Sequence, residues 1–160
     1  MFGFFKKSFK LIAPMDGKVI DLSKVPDEVF SQRLVGDGIA MDSTGDTIVA
    51  PADGVLKMIF KTNHAFAVVL ENGAEILVHI GLDTVELDGY GFERIAEEGI
   101  RVKAGDPIIK IDRQAIQEKG CSLITPVLIT NMEIVDELNF SVDKDVRAGV
   151  DVVVTYKTKK

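Results

Sequence analysis

The hydrophobic pattern of the chain is one of short runs. Val19-Ile20, Ala65 to Leu70, Ile76 to Ile80, Ser122 to Ile129 and Val150 to Tyr156 are strand-length and rich in β-branched residues. Turn-forming Gly, Pro, Asp and Asn separate them. Two phrases echo each other: Ala13-Pro14-Met15-Asp16-Gly17 and Ala50-Pro51-Ala52-Asp53-Gly54, each a Pro-Asx-Gly turn entering an apolar strand. A second echo links Val102-Lys103-Ala104-Gly105-Asp106 with Val146-Arg147-Ala148-Gly149-Val150. The repeats are too irregular for a solenoid. They predict an all-β fold, a compact antiparallel β-sandwich or barrel-like structure built from duplicated strand units. A few short helical turns interrupt it. Val25 to Val35 reads as one turn, with Pro26 in its first turn, Asp27 and Glu28 at its positive end and Gly36-Asp37-Gly38 ending it. Phe92 to Glu98 has helical composition. Asp112 to Lys119 reads as a short helix with Asp112 as N-cap and Gly120 as stop.

The stretch Thr62 to Glu86 carries both histidines of the protein, His64 and His79. Asn72-Gly73 between its two apolar runs predicts a β-hairpin with a two-residue type I′ turn. If those two residues are the central ones, Phe66 faces His79 and Ala65 faces Ile80. Thr62, His64, Phe66, Leu77 and His79 then share one face, with the imidazoles as diagonal neighbours. A one-residue slip would flip one strand against the other. From the residues alone two readings stay open: packed histidines with satisfied hydrogen bonds, or a paired imidazole site.

Composition narrows the class. The chain has 160 residues, 46% hydrophobic and 28% charged, as expected of one soluble domain, assigned to 11–160. The net charge of −6 and pI near 4.9 argue against nucleic acid as a partner and suit a basic protein. Cys121 is the one cysteine, so neither an intrachain disulfide nor a cysteine-based metal site can form. No apolar run approaches the length of a membrane span, and a cytoplasmic monomer is expected. Residues 1–10, MFGFFKKSFK, stand apart: Phe2, Phe5 and Phe9 follow helical spacing among Lys6, Lys7 and Lys10. They read either as a basic amphipathic segment in weak contact with anionic membrane or as a first strand packed on the domain. The second is preferred, since ten residues bring little membrane affinity. A chain beginning at Met1 with so short a leader favours a free-standing subunit over a domain cut from a longer permease.

The motifs TNHAF, ILVHIGLDTVEL and GFERIAEEGIRVKAGD, with VPDEVF, LVGDGIAM and APADG upstream, resemble the glucose-family IIA domain of the bacterial phosphoenolpyruvate-dependent sugar phosphotransferase system. The resemblance runs from about Ile12 to Tyr156. It implies a phosphotransferase component with a phosphohistidine intermediate. His79 would be the phosphorylated nucleophile, His64 would stabilise the phosphoryl oxygens, and Thr62 would orient His64. An apolar rim of Val29, Phe30, Leu34, Val35, Phe60, Phe66 and Leu77 would receive protein partners, with Asp27 and Asp83 as acidic contacts. Leu77 stands where some relatives have an aromatic residue. The partners implied are the phosphocarrier HPr as donor and a sugar-permease IIB domain as acceptor, and a phosphorylation-dependent regulatory role can coexist with transfer. Asp83 also reads as Asx-turn chemistry in Gly81-Leu82-Asp83-Thr84.

Three rival classes are weaker. Catalytic zinc usually takes three protein ligands, whereas this stretch offers two histidines, with Asp83 the only carboxylate in view as a third. Zinc shared at His64 and His79 with a partner's carboxylate stays open as an alternative and is not expected to be catalytic; no cofactor is required. A biotin or lipoyl carrier would need a lysine at a hairpin tip, but Lys57 sits inside an apolar strand run. A regulatory module that has lost catalysis is at odds with the presence of Thr62, His64 and His79.

Overall fold

Strand pairing among the described residues is antiparallel throughout. The computed structural model describes residues 7–159. The chain passes through β1 (Ser8–Ile12), β2 (Gly17–Asp21), α1 (Glu28–Ser31), β3 (Asp37–Ser43), β4 (Thr47–Val49), β5 (Gly54–Ile59), β6 (Ala65–Val69) and β7 (Glu75–His79). It continues through β8 (Phe92–Arg94), β9 (Arg101–Val102), β10 (Pro107–Ile111), α2 (Arg113–Glu118), β11 (Ile124–Ile129), β12 (Val135–Phe140), β13 (Asp145–Val146) and β14 (Val152–Thr158). Eight strands form one curled sheet in the order β13-β2-β3-β11-β7-β6-β5-β9, a half-barrel. Two three-stranded sheets, β1-β14-β12 and β4-β10-β8, pack onto the same main core.

The middle of the large sheet is buried on both faces. Ile39, Met41, Ile76, Val78, Val127 and Ile129 enter the main core. The residues between them, Ala40, Leu77 and Leu128, belong to a second cluster with Leu22, Val25, Phe30 and Leu82. Period-two alternation sends neighbours to opposite sides: β11, buried from Thr125 to Ile129, is covered on both faces, whereas β7 alternates buried Ile76 and Val78 with half-buried Leu77 and His79.

The repeated phrases clasp each other with matching bonds. Asp16 Oδ1 accepts from the Ala148 N–H and Asp53 Oδ1 from the Ala104 N–H, both at 2.8 Å. The Ala13 carbonyl takes the Gly149 N–H and the Ala50 carbonyl the Gly105 N–H, both at 2.9 Å. β2 then pairs with β13 and β5 with β9, so the two copies form the two ends of the eight-stranded sheet.

Four local expectations are corrected. The β6–β7 loop has three residues, not two: the Leu70 N–H donates to the Ala74 carbonyl, and the Leu70 carbonyl accepts from the Gly73 N–H. Gly73 alone takes a left-handed φ, of 95°, as in a type I turn followed by a bulge. Asn72 is occupied otherwise, accepting from the Ala74 N–H and donating to the Tyr156 hydroxyl. The register therefore slips by one, and Ala65, not Phe66, faces His79. Second, Phe92 to Glu98 is not helical: Phe92–Arg94 is a strand against β10, because its backbone completes a ladder that helical propensity cannot offset. Third, α1 is only four residues long and ends before Gly36-Asp37-Gly38, with Asp27 outside it as N-cap and Pro26 ahead of the cap. Fourth, Asp83 makes no side-chain cap bond in the turn after β7, so the Asx reading fails there; the residue is simply left-handed, with φ 59°. Expectations for α2 hold: Asp112 Oδ1 accepts from the Ala115 N–H, and Gly120 follows with φ 85°. At the N-terminus, β1 pairs with β14 and Phe9 lies against the Tyr156 ring. Phe2, Phe5 and Lys6, on which the membrane reading chiefly rests, lie outside the described residues.

Candidate functional site

His79 is the last residue of β7, where the ladder with β6 ends. Beyond it the chain turns sharply at Gly81, with φ 79°. A Cβ there would come within 2.5 Å of the Thr84 side chain and 2.7 Å of the Ser122 carbonyl, so the turn requires glycine. Thr84, fully buried, closes the turn by donating to the Ile80 carbonyl at 2.6 Å. The turn brings the Gly81 carbonyl to 2.8 Å from His79 Nδ1. A carbonyl can only accept, so Nδ1 carries the proton of the neutral ring and Nε2 is left with its lone pair.

His64 lies on the β5–β6 connection, just ahead of β6, and its carbonyl accepts from the Ile80 N–H at 2.6 Å. The two imidazoles meet edge to face, centroids 5.0 Å apart and planes at 78°. They come together despite the register slip because His64 stands outside the regular ladder, on the loop adjoining the end of β7. Thr62 Oγ1 is 2.5 Å from His64 Nδ1. Aromatic rings flank the pair: Phe30 at 4.9 Å from His79 and Phe60 at 5.3 Å from His64.

The electrostatics follow from burial. His64 is 4% exposed. Desolvation, then repulsion from a charged His79, lowers its pKa to about 4. Burial also lowers the pKa of His79, opposed by its bond to the Gly81 carbonyl and by the charges of Asp27 and Asp83. Both rings are therefore neutral near pH 7, and the arrangement can present an unprotonated Nε2 to an electrophile.

The surrounding residues separate into those the fold gathers and those it removes. Asp27 and Asp83 lie close enough to act on His79. Val29 and Leu34 are exposed, at 44% and 69%, and Val35 is half-buried. Phe30 is buried against His79, and Leu77 is half-buried, packed on the second cluster beneath. Phe66 is not part of any rim: it pairs with Val78 and is wholly buried in the main core, a consequence of the one-residue register change. Sequence reasoning passed over Val85, 52% exposed in the turn that follows Asp83. The signal was a valine out of strand period between Thr84 and Glu86. It also passed over Arg94, whose Nε donates to Asn63 Oδ1 at 3.0 Å beside this loop. Cys121 packs against the main core with its sulfur 4.0 Å from the Asp83 carbonyl, and its thiol pKa is raised by burial and by the nearby acids, so it is not activated.

The two imidazoles supply two of the three protein ligands that catalytic zinc usually takes. Among the described residues no three His, Cys, Asp or Glu side chains are grouped to hold a metal. None of the helices described is long and apolar enough to cross a membrane.

Residues 9–135 match the family model for the phosphoenolpyruvate-dependent sugar phosphotransferase system, EIIA 1. The chain is 49% identical over 140 residues to the glucose-specific EIIA component of Borreliella burgdorferi, covering 86% of this chain and 74% of that protein. It is 46% identical over 150 residues to the glucose-specific EIIA component of Haemophilus influenzae, covering 92% and 89%. The solved glucose permease IIA from Mycoplasma capricolum superposes with a TM-score of 0.88 at 40% identity, over 95% of this chain and 97% of the other. Family model, relatives and solved structure agree, and the chain belongs to the EIIA family of the phosphoenolpyruvate-dependent sugar phosphotransferase system, the components that relay a phosphoryl group from HPr to a IIB domain in sugar uptake.

Proposed function

We propose that the relay in this protein runs through His79 Nε2, with His64 and Thr62 as its supporting groups. The observation that carries this reading is the 2.8 Å contact of His79 Nδ1 with the Gly81 carbonyl, which assigns the proton to Nδ1 and frees Nε2. The Nε2 lone pair attacks the phosphorus of the donor's phosphohistidine. A new P–N bond forms, the donor's P–N bond breaks, and its electron pair returns to the donor imidazole, which takes up a proton. Transfer of this kind asks the protein for positioning and charge stabilisation rather than further covalent work. With the Thr62 hydroxyl donating to Nδ1 of His64, that ring carries its proton on Nε2 and donates to a phosphoryl oxygen. The donor and acceptor proteins dock over Val29, Leu34, Val35 and the ring of Phe60, above the buried Phe30 and the half-buried Leu77. Asp27 and Asp83 face basic side chains on HPr. This surface keeps water from the phosphoramidate, which limits hydrolysis. The IIB cysteine then takes the phosphoryl group as thiolate, and the permease chooses the sugar. The protein works as a cytoplasmic monomer of one domain, without a cofactor, and the phosphorylation state of His79 is available as a regulatory signal. Zinc at His64 and His79 would need a further ligand from a partner.

The test is intact-mass spectrometry at neutral to alkaline pH with phosphoenolpyruvate and catalytic enzyme I and HPr. The wild type gains one acid-labile phosphoryl group on the peptide containing His79, and His79→Gln gains none while keeping its fold. Phosphate retained by His79→Gln would move the site elsewhere. His64→Gln accepts phosphate but passes it to a IIB domain about a hundredfold more slowly, the scale seen when one preorganised donor is removed from a charged transition state.

A further inference from the structure

The two histidines are held by different means. His79 ends a strand: it faces Ala65 of β6, and its neighbour Val78 pairs with Val127 of β11 on the other side. His64 stands on a loop, and the polar partner of its ring, Thr62, belongs to the same loop. Whatever steadies residues 60–64 therefore sets the place of both groups.

Inside the loop two backbone bonds close the turn: the Phe60 N–H donates to the Ala65 carbonyl at 2.8 Å and the Asn63 N–H to the Phe60 carbonyl at 2.7 Å. Asn63 takes a left-handed φ of 61°, a conformation asparagine tolerates but does not prefer. The far end of the loop is tied to the end of β7, where the His64 carbonyl accepts from the Ile80 N–H at 2.6 Å; the near end, residues 60–63, is held from another part of the chain. Arg94, at the end of β8, donates from Nε to Asn63 Oδ1 at 3.0 Å and from Nη2 to the Phe60 carbonyl at 3.4 Å. Four residues on, the Glu98 carboxylate accepts from the Ile59 N–H at 2.8 Å, just ahead of the loop. β8 is itself anchored, with Arg94 opposite Ile109 of β10. The planar guanidinium reaches two acceptors at once, which a lysine ammonium cannot do in the same geometry.

We infer that Arg94 is a positioning residue of the relay: by holding Asn63 and the Phe60 carbonyl it keeps Thr62 and His64 aligned on His79. The kinetic consequence rests on the phosphoryl-relay reading of this site. Because His79 is anchored by its own ladder and by Gly81, acceptance from phospho-HPr is nearly independent of Arg94. Onward transfer needs His64 over the phosphoryl group and depends on it.

The experiment uses the full chain with Arg94→Ala, Arg94→Lys, Asn63→Gly and the Arg94→Ala/Asn63→Gly pair. Ring nitrogen NMR at pH 7, on unphosphorylated protein, reads the tautomer of each histidine. In Arg94→Ala the His64 signals become averaged between tautomers, while His79 keeps its pattern with Nδ1 protonated. Transfer to a IIB domain slows about tenfold and acceptance changes less than twofold. Arg94→Lys recovers part of the loss, and the double variant is no slower than the slower single one, because both substitutions cut the same link. Unchanged His64 signals in Arg94→Ala would overturn the inference, as would an equal fall in acceptance and onward transfer, which would mark Arg94 as a docking contact. Should the wild type fail to carry phosphoryl at all, the relay reading falls, and the ring spectra alone still decide the role of Arg94.

Discussion

His64 couples folding to pH with a definite sign. Its ring is held at a pKa of about 4 in the native state, against an ordinary value of 6.5. The folded protein refuses a proton that the unfolded chain accepts. Above pH 7 the ring is neutral in both states and contributes no pH dependence. As pH falls through 6.5 the unfolded chain is protonated first, and native stability drops until the native ring titrates near 4; below that the loss is constant. At about 1.4 kcal/mol per pH unit, the gap from 6.5 to about 4 is worth roughly 3 kcal/mol in full and about 2 kcal/mol at pH 5. Urea denaturation of the wild type and of His64→Gln at pH 7.5 and pH 5.0 isolates this contribution, because glutamine does not titrate and any packing cost is the same at both pH values. The lowered pKa of His79 acts in the same direction but is present in both proteins. The wild type should lose about 2 kcal/mol more than the variant across that interval, or about 4–8 °C in Tm for a chain of this size. A difference below about 0.5 kcal/mol, with equal denaturant slopes, would refute the account of a buried, neutral His64.

Two further outcomes test the partition of roles around the site. Asp27→Ala removes the carboxylate that caps α1 through the Val29 N–H and should cost about 1 kcal/mol. Asp27→Asn keeps a capping oxygen and most of that stability, yet should raise the KM for phospho-HPr several-fold, an effect that shrinks with added salt. An unchanged KM in Asp27→Asn would reduce Asp27 to a cap. Phe66→Ala should cost about 3–5 kcal/mol in urea denaturation, because that ring is wholly buried in the main core. Phe60→Ala should cost about 1 kcal/mol while slowing transfer, since its half-buried ring lies against His64 and lining it loses less core contact. Equal destabilisation by the two changes would contradict the register described for β6 and β7.

Features whose cause is local were legible without coordinates. The Pro-Asx-Gly phrases announce their turns and their duplication, because the required residues stand side by side. The clasp they form was legible only as similarity, not as contact. The α2 helix was readable from Asp112 and Gly120, since a cap is a matter of three residues. Phe92 to Glu98 misled for the opposite reason: its conformation is set by β10, and short segments yield to the ladder on offer.

By itself the sequence determined which side chains could do chemistry here: the only two imidazoles, both in one hairpin, an acidic overall charge, and alternation that demands a β fold. Tertiary structure decided how those groups behave. The hairpin loop admits three residues because Asn72 is drawn to Tyr156, 84 positions away, and that one-residue difference carries Phe66 into the core. The Gly81 carbonyl selects the His79 tautomer, burial takes the charge from His64, and Arg94, 31 positions from Asn63, steadies the loop that carries it. Residue identity is written along the chain, whereas register, desolvation and hydrogen-bond partners are properties of segments packed together, and they exist only once distant parts of the chain have met.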